Sequence, residues 1–167
     1  IILLSLSARD VAASVPLAAT AAEANAAITG YVEELCELWR QVRGTLRAAV
    51  IQQTFLDYAD PLFGSYERLA PGSPAQVIAH INDHVAAAAA REGVMLLDIA
   101  RASERDGLDA WFDTATWLQG KLEIAPRAVP AYGELTMRVL GAQRGLSKKC
   151  LVLDLDSTLW GGIVGDD

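Results

Sequence analysis

The stretch from Ser73 to Leu97, SPAQVIAHINDHVAAAAAREGVMLL, contains the signals for a helix and for the strand that follows it. Ser73 has the side-chain oxygen that caps a helix N-terminus, and Pro74 suits the first helical position because an N–H there would have no partner. The alanine-rich run then predicts a helix that ends at Glu92-Gly93. Val94–Leu97 is a short apolar run, which is typical of a buried strand.

The same alternation of strand and helix continues on both sides of this stretch. Apolar side chains recur at helical spacing between Tyr31 and Val42, whereas Ile1–Leu6 is a continuous apolar run. The other predicted elements are strands at 46–52 and 150–155, helices at 18–43, 98–105 and 129–143, a turn-rich loop at 57–74 and an irregular segment at 111–127. This order predicts an α/β fold with a parallel sheet, helices on both faces, and ligands beyond the carboxyl ends of the strands.

The composition is typical of an ordered globular protein. Of the 167 residues, 52% are hydrophobic and 21% are charged, which is too apolar a balance for intrinsic disorder. The formal net charge of −7 argues against nucleic acid as a partner, because binding it requires an excess of Lys and Arg. No apolar run approaches the roughly 18 residues of a membrane span.

The ends and the cysteines of the chain indicate its context. The chain begins in an apolar run without Met and ends on Gly165-Asp166-Asp167, so we expect it to be a fragment of a longer protein. Cys36 and Cys150 lack metal-ligand spacing. A reduced, cytoplasmic protein without membrane contact is the simpler interpretation.

Lys149–Leu159, KCLVLDLDSTL, is an apolar strand that ends in two carboxylates. Because side chains alternate along a strand, Asp154 and Asp156 project from the same side. Two like charges held so close cost energy unless a cation or a shared proton offsets them, and Mg²⁺ is the hard divalent ion that best suits such oxygen ligands. Asp154 is then placed to attack a phosphoryl group, and Asp156 to handle the leaving-group proton. The alternative is a solvated acidic turn, but the strand before the motif and the Ser-Thr-Leu-Trp-Gly-Gly run after it favour catalysis.

The segment Lys149–Asp167, KCLVLDLDSTLWGGIVGDD, closely resembles motif one of the haloacid dehalogenase superfamily. Its Trp160-Gly161-Gly162 continuation resembles the FkbH-like branch, subfamily IIIC. The resemblance implies that Asp154 forms an aspartyl-phosphate, that Asp156 is the general acid–base, and that both contribute to Mg²⁺ binding.

The same resemblance implies roles around the nucleophile. Thr158 matches the position that supports the nucleophile's loop, and Trp160, Gly161 and Gly162 would begin the flap over the substrate. The family's later phosphate-binding Ser/Thr, its Lys and its distal acidic metal ligands are absent, since Asp166-Asp167 follows the nucleophile too closely to be that pair. We therefore expect the chain alone to be inactive and the full-length protein to be an enzyme.

FkbH-like proteins are associated with polyketide biosynthesis. The resemblance implies dephosphorylation of a phosphoglycerate-type acyl phosphate, 1,3-bisphosphoglycerate, and loading of its glyceryl group onto an acyl carrier protein. Two alternatives stay open: a Mg²⁺-dependent phosphatase of small phosphorylated metabolites, and a non-catalytic docking module for the carrier protein formed by residues 1–145.

Residues 1–145 resemble the SGNH-hydrolase-like domain that often precedes the phosphatase domain in FkbH-like proteins. The resemblance implies a flavodoxin-like, three-layer parallel sheet that is N-terminally incomplete. Asp109–Lys121, DAWFDTATWLQGK, resembles the stretch that carries the Asp and His of the SGNH triad. Asp113 is present, but no His follows and Trp117 is the nearby large residue, so we expect a scaffold or a binding surface rather than Ser–His catalysis.

Residues 146–167 are interpreted as the truncated start of a Rossmann-like haloacid dehalogenase domain. They contribute one strand, Cys150–Leu155, without the rest of its sheet. An unpaired apolar strand would extend an existing sheet edge or pair with a second copy of the chain, which predicts a dimer in the latter case.

His80 and His84 share a helix face and resemble a zinc pair. Ile81 stands where a zincin has Glu, so exposed helix histidines are favoured. Cys150 would suit acyl transfer, but it lies about 13 Å from Asp154 at roughly 3.3 Å per residue. A buried structural role is therefore favoured for both cysteines.

Two further groups of residues admit a binding role and a structural one. The basic side chains could meet an acidic carrier protein, but solvated surface charge is favoured; they are Arg40, Arg43, Arg47, Lys148 and Lys149. Three aromatic side chains are interpreted as a lid over the core rather than a ligand platform; they are Trp111, Phe112 and Trp117.

Overall fold

The computed structural model describes residues 1–146. The strands are β1 (Ile2–Leu4), β2 (Val50–Gln53) and β3 (Met95–Leu97). The α-helices are α1 (Ala8–Ala13), α2 (Ala21–Leu46), α3 (Pro74–Glu92), α4 (Ile99–Asp106), α5 (Leu108–Trp111), α6 (Thr114–Gly120) and α7 (Val129–Gln143), and 3₁₀ turns span Gly64–Leu69 and Pro126–Ala128. The strand predicted at 150–155 lies outside the described residues. Of the second domain predicted at 146–167, only Leu146 is described.

The three strands form one parallel sheet in the order β1-β2-β3. Leu3 pairs with Ile51 and Ile51 with Met95, so β2 is the central strand. All residues of β2 are buried, as expected for the middle of a parallel sheet that is covered on both faces. The prediction of an α/β fold with a parallel sheet is therefore confirmed for residues 1–146.

Helices contact both faces of this sheet. Neighbouring residues of a strand point to opposite faces, so Gln52 and Gln53 mark the two sides. The Trp39 indole N–H on α2 donates to Gln52 Oε1 at 3.0 Å, whereas the Tyr132 hydroxyl on α7 donates to Gln53 Oε1 at 2.6 Å. Helices α2 and α3 pack against each other, because right-handed crossovers between successive parallel strands fall on one face.

The ends of the long helices follow from local signals. Ser73 Oγ accepts the N–H of Gln76 at 3.4 Å, and Gly93 ends α3 in the left-handed region at φ 64°, both as predicted. At the start of α2, Thr20 and Glu23 form a reciprocal capping box, in which the Thr20 N–H donates to Glu23 Oε2 at 2.8 Å. This backbone hydrogen bond holds the pKa of Glu23 below its ordinary value. Helix α7 has the predicted bounds.

The predicted boundary between α2 and β2, and the interpretation of one segment, were wrong. Helix α2 continues past Gly44 to Leu46, and Arg47 ends it at φ 50°, so the next strand begins at Val50 rather than at residue 46. A glycine in a helix costs only about 1 kcal/mol, which the packing of a long helix offsets. The segment 111–127 is not irregular throughout, because it contains α6.

The core lies between the sheet and the helices that cover it. Trp39, Trp111 and Phe55 are among its largest fully buried side chains. Cys36 is buried, which confirms its structural interpretation. Burial of Trp111 and Phe112 likewise confirms their assignment to the core, whereas Trp117 is only half-buried. Within residues 1–146, no helix combines the length and the apolar character that a membrane span requires.

Gly72 lies where the segment before α3 touches the chain after α1. A Cβ atom on Gly72 would stand 2.1 Å from the carbonyl oxygen of Pro16 and 2.9 Å from that of Leu17. We therefore expect Gly72→Ala to lower the free energy of unfolding by about 1–3 kcal/mol, the range for overpacking. Chemical denaturation measures this change.

Gly133 provides the matched control for this substitution. It lies within α7, and nothing lies within 4 Å of its Cβ position. Gly133→Ala should therefore raise the free energy of unfolding by about 0.5–1 kcal/mol, through helix propensity. Equal stability of the two variants would contradict the close approach at Gly72.

Candidate functional site

The residues predicted to carry phosphoryl transfer lie outside the described region. They are Asp154, Asp156, Thr158, Trp160, Gly161 and Gly162. Within residues 1–146, the carboxyl ends of the parallel strands form the edge where α/β sheets bind ligands. Some polar side chains at this edge hold the fold together, and others line a cleft.

The polar side chains that follow β2 and β3 join the two strand ends. The Thr54 hydroxyl donates to Asp98 Oδ1 at 3.2 Å and accepts the N–H of Ala100 at 3.0 Å. The Asn82 amide on α3 accepts the N–H of Phe55 at 2.8 Å and donates to its carbonyl oxygen at 2.9 Å. These bonds satisfy polar groups that burial would otherwise leave unpaired, so this part of the edge is structural.

A cleft of about 530 Å³ opens beside the carboxyl end of β1. We call it the β1 cleft. Its polar and aromatic lining comes from the segment after β1, from the start of α1, from α6 and from the loop after α6; the residues are Ser5, Ser7, Arg9, Asp10, Trp117, Lys121 and Glu123. The fold thus brings together two segments that are more than a hundred positions apart in the chain.

Trp117 lies under two cations in the β1 cleft. The guanidinium carbon of Arg9 and the ammonium nitrogen of Lys121 each lie 3.7 Å from the centroid of a Trp117 ring. Cation–π contacts of this kind contribute about 0.5–1 kcal/mol at exposed sites. Neither cation forms a salt bridge with a carboxylate of residues 1–146. Two positively charged groups therefore share the Trp117 indole.

Tyr58 connects the β1 cleft to the core. Its ring stacks on Phe112 with the centroids 4.4 Å apart, and its hydroxyl donates to Glu123 Oε1 at 2.8 Å. The Arg9 guanidinium lies 5.3 Å from the centroid of the Tyr58 ring. Burial, together with the hydrogen bond to Glu123, raises the pKa of Tyr58 to about 12. The hydroxyl is therefore protonated at neutral pH and keeps one Glu123 oxygen occupied.

Asp113, the candidate triad acid, caps helix α6. Its carboxylate accepts the N–H groups of Ala115 at 3.3 Å and Thr116 at 3.2 Å, and also the Thr116 hydroxyl. The hydrogen bonds from Thr116, its side chain first, hold the pKa of Asp113 below its ordinary value. These hydrogen bonds assign the Asp113 carboxylate to the N-terminus of α6 as its cap.

The other candidate binding residues within 1–146 do not converge on a site, and Lys148, Lys149 and Cys150 lie outside the described residues. In the part of the chain that the structure describes, no group of three or more His, Cys, Asp or Glu side chains is arranged to hold a metal ion. His80 is exposed on α3 and His84 is half-buried. Arg40 and Arg43 were predicted to be solvated surface charges. Both are partly exposed, but they also reach the Glu92 carboxylate at 2.6 and 3.5 Å, so they join α2 to the end of α3.

Reasoning from sequence missed most of the β1 cleft. Arg9, Tyr58 and Glu123 lie far apart in the chain, and each alone is an ordinary surface or turn residue. The one local signal was the pair Trp117 and Lys121, which are four positions apart, the spacing of neighbours on one face of a helix, although Lys121 itself ends α6 at φ 56°.

Comparison with solved structures shows a shared fold. The chain is similar to the crystal structure of the N-terminal part of the protein BF1531 from Bacteroides fragilis, which contains a phosphatase domain complexed with Mg. The TM-score is 0.68 at 24% sequence identity, and the match covers 89% of this chain and 39% of that chain. The chain thus spans about two fifths of the length of that structure. No family model and no curated protein matches the sequence.

Proposed function

We propose that the full-length protein is a Mg²⁺-dependent phosphoryl-transfer enzyme of the haloacid dehalogenase type. The observation that carries this proposal is the run Lys149–Leu159, an apolar segment that ends in Asp154 and Asp156 and continues into Ser-Thr-Leu. The fold shared with the N-terminal part of BF1531 supports it, because that fold occurs there in a chain that contains a phosphatase domain complexed with Mg.

The chemistry of the two carboxylates suits this reaction. A carboxylate oxygen of Asp154 would attack the phosphorus atom, and the bond from phosphorus to the leaving oxygen would break. Asp156 would give its proton to that oxygen and then take a proton from the water that hydrolyses the aspartyl-phosphate. Two carboxylates side by side fit Mg²⁺, which when bound neutralises charge on the phosphoryl oxygens.

The finer assignment is to the FkbH-like branch. Trp160-Gly161-Gly162 supports it, since this continuation of the motif resembles that branch. The substrate would then be a phosphoglycerate-type acyl phosphate, and the acceptor of the glyceryl group an acyl carrier protein in the cytoplasm. Residues 1–145 would be an SGNH-like, three-layer scaffold, which the contacts of α2 and α7 with opposite faces of the sheet support.

Phosphate release by the full-length protein tests the proposal. With a phosphorylated three-carbon acid as substrate, we expect release in the presence of Mg²⁺, its loss after chelation with EDTA, and its return when Mg²⁺ is added back. Release that is indifferent to divalent cations would contradict the proposed site.

A mass shift on an acyl carrier protein distinguishes the transferase from the simpler phosphatase. With 1,3-bisphosphoglycerate as the substrate, the FkbH-like assignment predicts addition of one glyceryl group to the carrier protein. The carrier thiol would attack the acyl carbon and displace the phosphate of the acyl phosphate, while the Asp154 site would hydrolyse the other phosphate ester. Phosphate release without this mass shift would favour a Mg²⁺-dependent phosphatase of small metabolites.

A further inference from the structure

We propose that the β1 cleft binds the acidic group of a small organic anion, a carboxylate or a phosphate ester, between Arg9 and Lys121. The site is formed by residues of the described region, and the proposal does not rest on the phosphoryl-transfer residues at the end of the chain.

The position and the donors of the cleft favour a ligand. It lies at the carboxyl edge of the parallel sheet, where the loops after the strands leave room for one. Arg9 offers a planar fork of N–H donors that matches a carboxylate or a phosphate, and Lys121 offers a compact positive charge. Both are held over Trp117 at 3.7 Å, so they stand at defined positions in advance of binding. Ser5 adds an exposed hydroxyl.

The placement of the charged groups in the cleft favours an anion. Two carboxylates, Asp10 and Glu123, also line it, but within residues 1–146 neither forms a salt bridge with Arg9 or Lys121. Glu123 instead accepts a hydrogen bond from the Tyr58 hydroxyl at 2.8 Å. Arg9 and Lys121, by contrast, lie together on the Trp117 indole, so an anion placed between them would pair with both.

The rest of the lining selects an organic anion over a bare inorganic one. Leu122 and Ile124 stand in the same cleft beside the indole of Trp117. A volume of about 530 Å³ lies in the range that holds small molecules, and apolar walls with a few convergent polar groups are the usual composition of such sites. A short aliphatic chain next to the acidic group would use both parts of the lining.

Butyrate and monobutyl phosphate are the probes, and 1-butanol is the uncharged control. The protein is labelled with 5-fluorotryptophan and titrated at constant ionic strength, and the fluorine resonance of Trp117 is assigned with Trp117→Phe. We expect a saturable shift of this resonance with at least one acid and no shift with butanol. The acid that binds more tightly identifies the acidic group, whereas failure of both acids to give a saturable shift would overturn the proposal.

Substitution of the two cations locates the binding site. Arg9→Gln and Lys121→Gln should each weaken binding by about tenfold, the effect of losing one charge-assisted hydrogen bond. Arg144→Gln is the matched control, because Arg144 is an exposed arginine at the end of α7, and it should bind the probes as the unmodified protein does. Denaturation midpoints establish that each variant is folded. If both cleft variants bind as tightly as Arg144→Gln, the assigned site is wrong.

Discussion

Asp154→Asn will lower Mg²⁺-dependent phosphate release by the full-length protein on the order of 10³-fold or more. The amide that replaces the carboxylate is neutral, so it is a poor nucleophile toward phosphorus and a weaker ligand for a hard cation. Both effects would act on the same step, because the proposed site has the metal ion and the nucleophile meet at Asp154. Steady-state assay of phosphate release, with the variant and the unmodified protein prepared in parallel, measures the loss.

Asp166→Asn is the control for this substitution. It makes the same chemical change twelve positions later, at an acidic residue that follows the nucleophile too closely to be a distal metal ligand. We expect it to retain activity within about threefold, since one charge that is assigned neither the nucleophile's role nor a metal-ligand role should contribute little. Retained phosphate release in Asp154→Asn would refute the assigned nucleophile, and equal losses in both variants would show that the segment matters only for folding.

Trp39→Ala will destabilise the chain by about 3–5 kcal/mol. The Trp39 side chain is 0% exposed, so truncation leaves a cavity between α2 and the sheet. Its indole N–H also satisfies Oε1 of Gln52, which is 0% exposed on the central strand. Loss of this partner adds the desolvation penalty of a buried acceptor. Urea denaturation measures the change, provided the transition stays two-state.

Two further variants separate volume from hydrogen bonding at Trp39. Trp39→Phe keeps most of the ring but removes the N–H, so we expect a loss of about 1–2 kcal/mol. Leu118→Ala, at a side chain that is 63% exposed on α6, should change stability by less than about 0.5 kcal/mol. A loss for Trp39→Ala no larger than that for Leu118→Ala would mean that α2 does not pack on the sheet as described.

The fold was largely predictable because its signals are local. The cap at Ser73, the stop at Gly93 and the apolar run after it lie within one stretch of chain, and the structure has each where it was expected. The errors fell where local signals conflict with packing. Gly44 marked the end of a helix, yet α2 runs on to Leu46. The segment around Asp113 was taken as irregular, although a single side chain there caps a helix.

Of the two candidate sites, one could be predicted from local sequence signals and the other could not. The phosphoryl-transfer motif could be proposed from sequence because its functional groups are close together in the chain: a strand at this position would place Asp154 and Asp156 on one side by its own geometry. The β1 cleft could not, because Arg9, Tyr58 and Trp117 become neighbours only when the chain has folded.

The order of the residues alone was enough to establish the alternation of helix and strand, the parallel sheet and the acidic motif after the last apolar run. Periodicity, capping and turn chemistry act over a few positions, so they can be recognised from residues that are close together in the chain. Tertiary structure alone decided that Arg9 and Lys121 share one indole, that Glu123 is held by Tyr58, and that Arg40 and Arg43 tie α2 to α3. Such contacts depend on which segments the packing of the core brings together, and that pairing of distant segments cannot be predicted from a local sequence pattern.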